Sequence, residues 1–128
     1  MEKTVLLTSL VAAGLLALPL VMSNSSQQRD VARIEAQRTD DTLRLHSLFE
    51  ASEATTDSLR YEFEVNKQGA SGTSTSRQGG EFMPTAGSAD TLSTVQVGVE
   101  TGDTVVARLR VTGPEGLVAE ADLREVIR

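Results

Sequence analysis

"GASGTSTSRQGGEF" (residues 69–82) holds four glycines, five hydroxyl residues, one Arg and one Gln. Segments of alternating apolar and polar residues flank it, so its reading decides the fold. A phosphate-binding loop needs Lys-Ser or Lys-Thr after its last glycine, and a helix behind it. Here Gly79-Gly80 runs into Glu81, Phe82, Met83 and Pro84, and Arg77 is the only cation among the glycines, so that reading fails. A flexible tether suits the Gly and Ser content. A polar strand at a sheet edge suits the alternation, with Thr73, Thr75 and Arg77 on one parity and Ser74, Ser76 and Gln78 on the other. Thr favours strands, and polar side chains with one charge discourage unwanted pairing at an edge. Pattern alone leaves tether and edge strand both open.

The flanks are clearer. "LRYEFEV" (59–65) sets Leu59, Tyr61, Phe63 and Val65 against Arg60, Glu62 and Glu64. "TLSTVQVGVE" (91–100) repeats the alternation with Val95, Val97 and Val99. "TVVARLRV" (104–111) turns Val105, Ala107, Leu109 and Val111 inward and Arg108 and Arg110 outward, and "LVAEADL" (117–123) sets Leu117, Ala119 and Ala121 on one side. This is the pattern of sheets with one wet face. "TGD" (101–103) and "TGPEG" (112–116) are turn signals. Turns recurring roughly every ten residues predict an all-β protein, an immunoglobulin-like β-sandwich of about seven antiparallel strands. Residues 31–50 read two ways. "VARIEAQ" and "TLRLHSLFE" alternate around the turn residues "RTDD", but Leu48 breaks the pattern, and Leu45, Leu48 and Phe49 also fit helical spacing.

The chain has 128 residues, 12 basic and 18 acidic side chains, and a formal charge of −6. That balance excludes nucleic acid as a partner, since such binding rests on neutralising phosphates. With no cysteine, disulfides and thiolate metal sites are excluded. Residues 1–23 have the layout of a secretory signal peptide: Lys3, an apolar run from Val5 to Met22, then small polar residues. An uncleaved membrane anchor is the rival, because a run of about 18 residues just spans a bilayer. In either case membrane contact is confined to this segment. Residues 24–30 form a polar linker, and 31–128 the sandwich domain.

Candidate chemistry is sparse. His46 is the only histidine and has no ligand partner at metal spacing, so it reads as a surface or rim residue. Asp40-Asp41 reads as a turn rather than a calcium site. "GASG" is one residue short of a nucleophile elbow. The expectation is a protein that is no enzyme and has no cofactor, metal or small-molecule substrate. Arg108 and Arg110 on one strand, with Arg60, Glu62 and Glu64 on another, read either as a cross-strand ladder of ion pairs or as a charged face that meets a partner.

The Gly-x-Ser-Gly-x-Ser-x-x-x-Gln core (Gly69, Ser71, Gly72, Ser74, Gln78) stands between "YEFEVNKQ" and "LSTVQVGVETGDTVVARLRVTGPEGLVAE". In that setting it resembles the small periplasmic curli chaperones of the CsgC/CsgH type. The upstream "IEAQ…DTLRL" is similar to the CsgH branch, and the resemblance spans roughly residues 31–122. It implies strands rather than a helix for residues 31–50, an immunoglobulin-like sandwich, and a periplasmic location. It also implies a task, inhibiting premature amyloid formation by curli major subunits before export. Where some members carry a Cys-x-Cys pair, this chain reads Asp57, Ser58 and Leu59, which excludes a thiol redox role. The client would meet Ser74, Ser76, Arg77 and Gln78 along the edge, with Arg108 and Arg110 steering it by charge. The alternative is a non-catalytic envelope adhesion or interaction module of the same fold.

Overall fold

The structure is a computed structural model that describes residues 30–52 and 57–128. It contains seven strands: β1 (Val31–Thr39), β2 (Thr42–Glu50), β3 (Leu59–Gly69), β4 (Gly72–Phe82), β5 (Ala89–Gly98), β6 (Thr104–Gly113) and β7 (Gly116–Val126). They form a three-stranded sheet, β1-β2-β5, and a four-stranded sheet, β4-β3-β6-β7. All pairings within the sheets are antiparallel, so the all-β sandwich expected from the alternation is the observed fold. The expected leader, and the linker up to residue 29, lie outside the described residues. Asp30 is tied to the domain, its Oδ1 accepting from the Ser52 backbone N–H at 3.0 Å.

The ambiguity over residues 31–50 resolves as a hairpin. β1 and β2 pair from Val31↔Glu50 to Thr39↔Thr42, closed by Asp40-Asp41. Asp40 takes a φ of 53°, a region that Asp tolerates better than most side chains. The break at Leu48 was an effect of Ser47. Leu43, Leu45, Ser47 and Phe49 are all buried on the inner face, while Leu48 belongs to the outer parity. A wholly buried serine occupies an apolar slot. Its Oγ lies 2.7 Å from Ser93 Oγ on β5, so the two hydroxyls satisfy each other. The β2–β5 register shifts immediately beyond Ser47.

The core lies between the sheets. Ile34, Leu45 and Phe49 from one side meet Phe63, Val65, Val105, Ala107, Leu109 and Val111 from the other, each at most 1% exposed. Central strands β3 and β6 supply all of the second set because they are covered by the facing sheet. One expectation needs correction. Leu117 does not share a side with Ala119 and Ala121: it is 52% exposed. The β6–β7 register shifts between Val111↔Ala119 and Thr112↔Leu117, so Val118 is an extra residue that flips parity. Leu117 therefore stands opposite outward-facing Thr112, and the buried residue of β7 is Leu123, with Ile127 just beyond the strand.

The opening stretch is ordered strand. β4 pairs with β3 over eleven consecutive residue pairs, from Leu59↔Phe82 to Gly69↔Gly72, without a register shift. It is the edge strand of the four-stranded sheet, and none of its residues is buried. The facing sheet has three strands. It covers β7 and β6 with β1 and reaches β3 with β5, so β4 overhangs and is wet on both faces. An apolar stripe there would face water, which is why hydroxyls occupy both parities.

Candidate functional site

The β3–β4 hairpin is fastened at both ends of β4, through Gly69 of β3 at the turn and Phe82 at the far end. At the hairpin end, Gly69 lies against Asp103, and a Cβ added to Gly69 would overlap that carboxylate. Asp103 is buried, accepts a hydrogen bond from the Glu100 backbone N–H at 2.9 Å, and has Lys67 Nζ at 4.0 Å. Its backbone closes the same end: its N–H donates to Glu100 O at 3.0 Å, and its carbonyl accepts from Ile127 N–H at 2.8 Å. At the other end Phe82 packs edge-to-face on Phe49 and on Tyr61, with centroids 5.5 and 6.2 Å apart. Just before Phe82, Gly79 lets β4 lie close against the β3 backbone. A Cβ on Gly79 would sit 2.9 Å from the Tyr61 carbonyl oxygen, and one on Gly80 would touch the Tyr61 ring at 3.5 Å. Between these fastenings, Thr73 to Gln78 offers one unpaired backbone edge, with alternate N–H and C=O groups turned away from β3.

The expected site residues do not all share one surface. Ser74, Ser76 and Gln78 stand opposite Lys67, Val65 and Phe63 on the inner parity of β4, whereas Arg77 stands opposite Glu64 on the outer face. Arg108 and Arg110 are on β6, with β3 between them and β4, and face outward with Arg77. The edge itself is what unites the first four. A strand laid along β4 would meet both parities, while a partner on the flat outer face would meet only the arginines.

That outer face is an alternating lattice. Cross-strand register aligns Arg77, Glu64, Arg108 and Asp122 in one row over all four strands, and Glu62, Arg110 and Glu120 in the next. Arg77 donates to Glu64 Oε2 through Nε at 3.2 Å and through a terminal nitrogen at 3.1 Å. Arg108 Nε donates to Asp122 Oδ1 at 2.9 Å, Arg110 Nε lies 3.8 Å from Glu120 Oε1, and Arg60 donates to Glu81 Oε2 at 3.1 Å. The hydrogen bond to Asp122, and then its charge, raise Arg108 above its ordinary value. The ion-pair ladder expected as one reading is thus present, but its anions differ from those expected. Asp122 and Glu120 on β7 take the two β6 arginines, and Glu64 takes Arg77. The "AEAD" alternation carried that signal, with Glu120 and Asp122 between apolar positions.

The remaining sequence candidates are placed simply. His46 is on the outer face of the small sheet, its Nδ1 2.9 Å from Thr94 Oγ1. Asp40-Asp41 is the turn of the first hairpin. Among the described residues no cluster of three or more His, Cys, Asp or Glu side chains is arranged to hold a metal ion.

Two antiparallel sheets packed face to face, with β4 left as a polar edge, define an immunoglobulin-like β-sandwich. Residues 19–123 match the family model described as CsgH protein. The chain belongs to that family, in the CsgH branch of the CsgC/CsgH-like curli proteins, and membership associates it with curli. Among solved structures it is similar to the solution structure of R. palustris CsgH, at 24% identity and a TM-score of 0.59, covering 73% of this chain and 91% of that one. It is also similar to the E. coli curli protein CsgC, at 14% identity and a TM-score of 0.64, covering 73% and 96%. At these identities the two structures speak for the fold alone. No curated protein sequence matches the chain.

Proposed function

We propose that this protein is a periplasmic chaperone that keeps curli major subunits from assembling into amyloid before export, through weak and transient contacts. The carrying observation is β4, an ordered, unshifted strand with an unpaired edge and no buried residue. Amyloid grows by adding strands to a bare edge. An unfolded subunit that pairs with β4 meets backbone partners on one side and a finished domain on the other, so growth stops there. Ser74, Ser76 and Gln78 on one parity and Arg77 on the other would touch the docked chain. Arg108 and Arg110, whose neighbours in the lattice are acidic, would act on encounter rather than in the docked state. The apolar leader and the polar segment after it support export to the periplasm.

The test is a thioflavin assay of curli subunit assembly with sub-stoichiometric purified domain. The wild type should lengthen the lag, and no effect on the lag would refute the chaperone reading. Proline at Thr75 and at Ser76 in turn tests the edge, since one of these N–H groups faces away from β3 and its loss should leave the fold intact. That folded proline variant should lose inhibition. Changing Arg77, Arg108 and Arg110 together to Glu tests steering, and unchanged inhibition would show that charge plays no part.

A further inference from the structure

The outer parity of β4 carries two charges in its second half, Arg77 and Glu81, with Gly79 midway between them. Both are well exposed, their side chains at 76% and 67%. This arrangement is self-complementary. If a second copy's β4 lies antiparallel beside the first, with Gly79 facing Gly79, each Arg77 stands opposite the other copy's Glu81. Both interchain pairs are then attractive. Sliding the partner by four residues sets Arg77 on Arg77, or Glu81 on Glu81, and sliding by two leaves the charges facing no opposite charge. Opposed residues in an antiparallel pair must share a face, so charge selects one register.

The lattice behind the edge agrees with that register. One row runs Asp122, Arg108, Glu64, Arg77 across one copy. In the paired arrangement it continues through the other copy's Glu81 and Arg60, which are bonded to each other at 3.1 Å. The alternation of sign is unbroken across the junction. Gly79, which would lie at the twofold axis, brings no side chain to the junction. The facing sheet does not obstruct the approach, because β4 overhangs it, with Phe82 at the strand end packed on Phe49.

We infer that a second copy of this chain pairs with the free edge of β4 through Arg77–Glu81 contacts about Gly79, forming a symmetric dimer with one continuous eight-stranded sheet. The inference rests on the edge and its charges and does not depend on the client reading. The dimer would withhold from any other chain the edge that the monomer presents.

The experiment is sedimentation of the purified domain alone, without any client. The wild type should dimerise reversibly in the micromolar to sub-millimolar range and weaken with added salt. Arg77→Glu and Glu81→Arg should each dimerise at least roughly tenfold more weakly, because both interchain pairs become repulsive. An equimolar mixture of the two variants should recover association as a heterodimer, since the new carboxylate at position 77 meets the new guanidinium at position 81. A misfolded variant could not give that recovery. A wild type that stays monomeric up to about 1 mM overturns the inference. So does a dimer that forms equally well in both variants, or a mixture that shows no recovery.

Discussion

β4 and β7 are the two edges of one sheet and are equally long, eleven residues each, yet they are built oppositely. β7 is covered from below by β1 and buries Leu123. Its ladder is broken by an extra residue at Val118. It also turns a charge inward: Glu125 stands opposite buried Val105. A bulge and an inward charge are two known ways to spoil an edge for outside strands. β4 has an unshifted ladder, no buried residue and no inward charge. The asymmetry follows from counting layers. Three strands cannot cover four, and the strand left over is released from the apolar pattern while remaining held in the sheet. That strand keeps an unshifted ladder and an open backbone edge.

The largest expected effect tests the packing half of this contrast. Leu123→Ala in β7 should destabilise by about 2–5 kcal/mol in urea unfolding, while Ser76→Ala in β4 should stay within about 0.5 kcal/mol. Comparable losses at the two sites would mean that β4 is not an overhang. Next comes the hairpin fastening. Gly69→Ala should cost about 1–3 kcal/mol by overpacking against Asp103. Asp103→Ala should cost a similar amount, about 1–3 kcal/mol, by stranding the Glu100 N–H. The double variant should fall short of the sum, because removing the carboxylate makes room for the methyl; strict additivity in a double-mutant cycle would separate the two residues.

A smaller effect concerns the guarded edge. Burial pushes the Glu125 carboxyl above the usual carboxylate range, partly offset by the charge of Arg38. The folded state therefore holds this proton more tightly than the unfolded chain does. The contribution is most favourable at acid pH and declines as pH rises through the folded value. Glu125→Gln should be the more stable protein at neutral pH, and its advantage should shrink as pH falls toward the ordinary carboxylate range. An advantage that grows in acid would reverse the sign of this account. The finest contrast is in amide exchange. Thr73 to Gln78 should alternate, every second amide protected by β3 and the others exchanging fast. Uniformly fast exchange across those six residues, as in a free peptide, would remove β4 as a docking edge.

Much of the fold was legible because most strands keep strict alternation over a half-buried sheet. Leu59, Phe63 and Val65, or Val105, Ala107, Leu109 and Val111, need only period two to be placed. The failures share one cause. Ser47 in the core and the extra residue at Val118 are decided by a neighbouring strand, the first by Ser93 and the second by the β6 register. The edge position of β4 was readable as one of two options from its hydroxyls on both parities, and the eleven-pair ladder with β3 decides between them. The split of the candidate residues between two faces followed from parity, but their ion-pair partners required knowing that β7 lies beside β6.

Anchorage at both ends governs how β4 responds to pull. A strand held only at its hairpin would be peeled away one bond at a time by a force on the far end. With Gly69 seated on Asp103 and Phe82 wedged between Phe49 and Tyr61, traction along the strand is shared by the whole ladder at once. Parting β4 from β3 then requires shearing rather than unzipping.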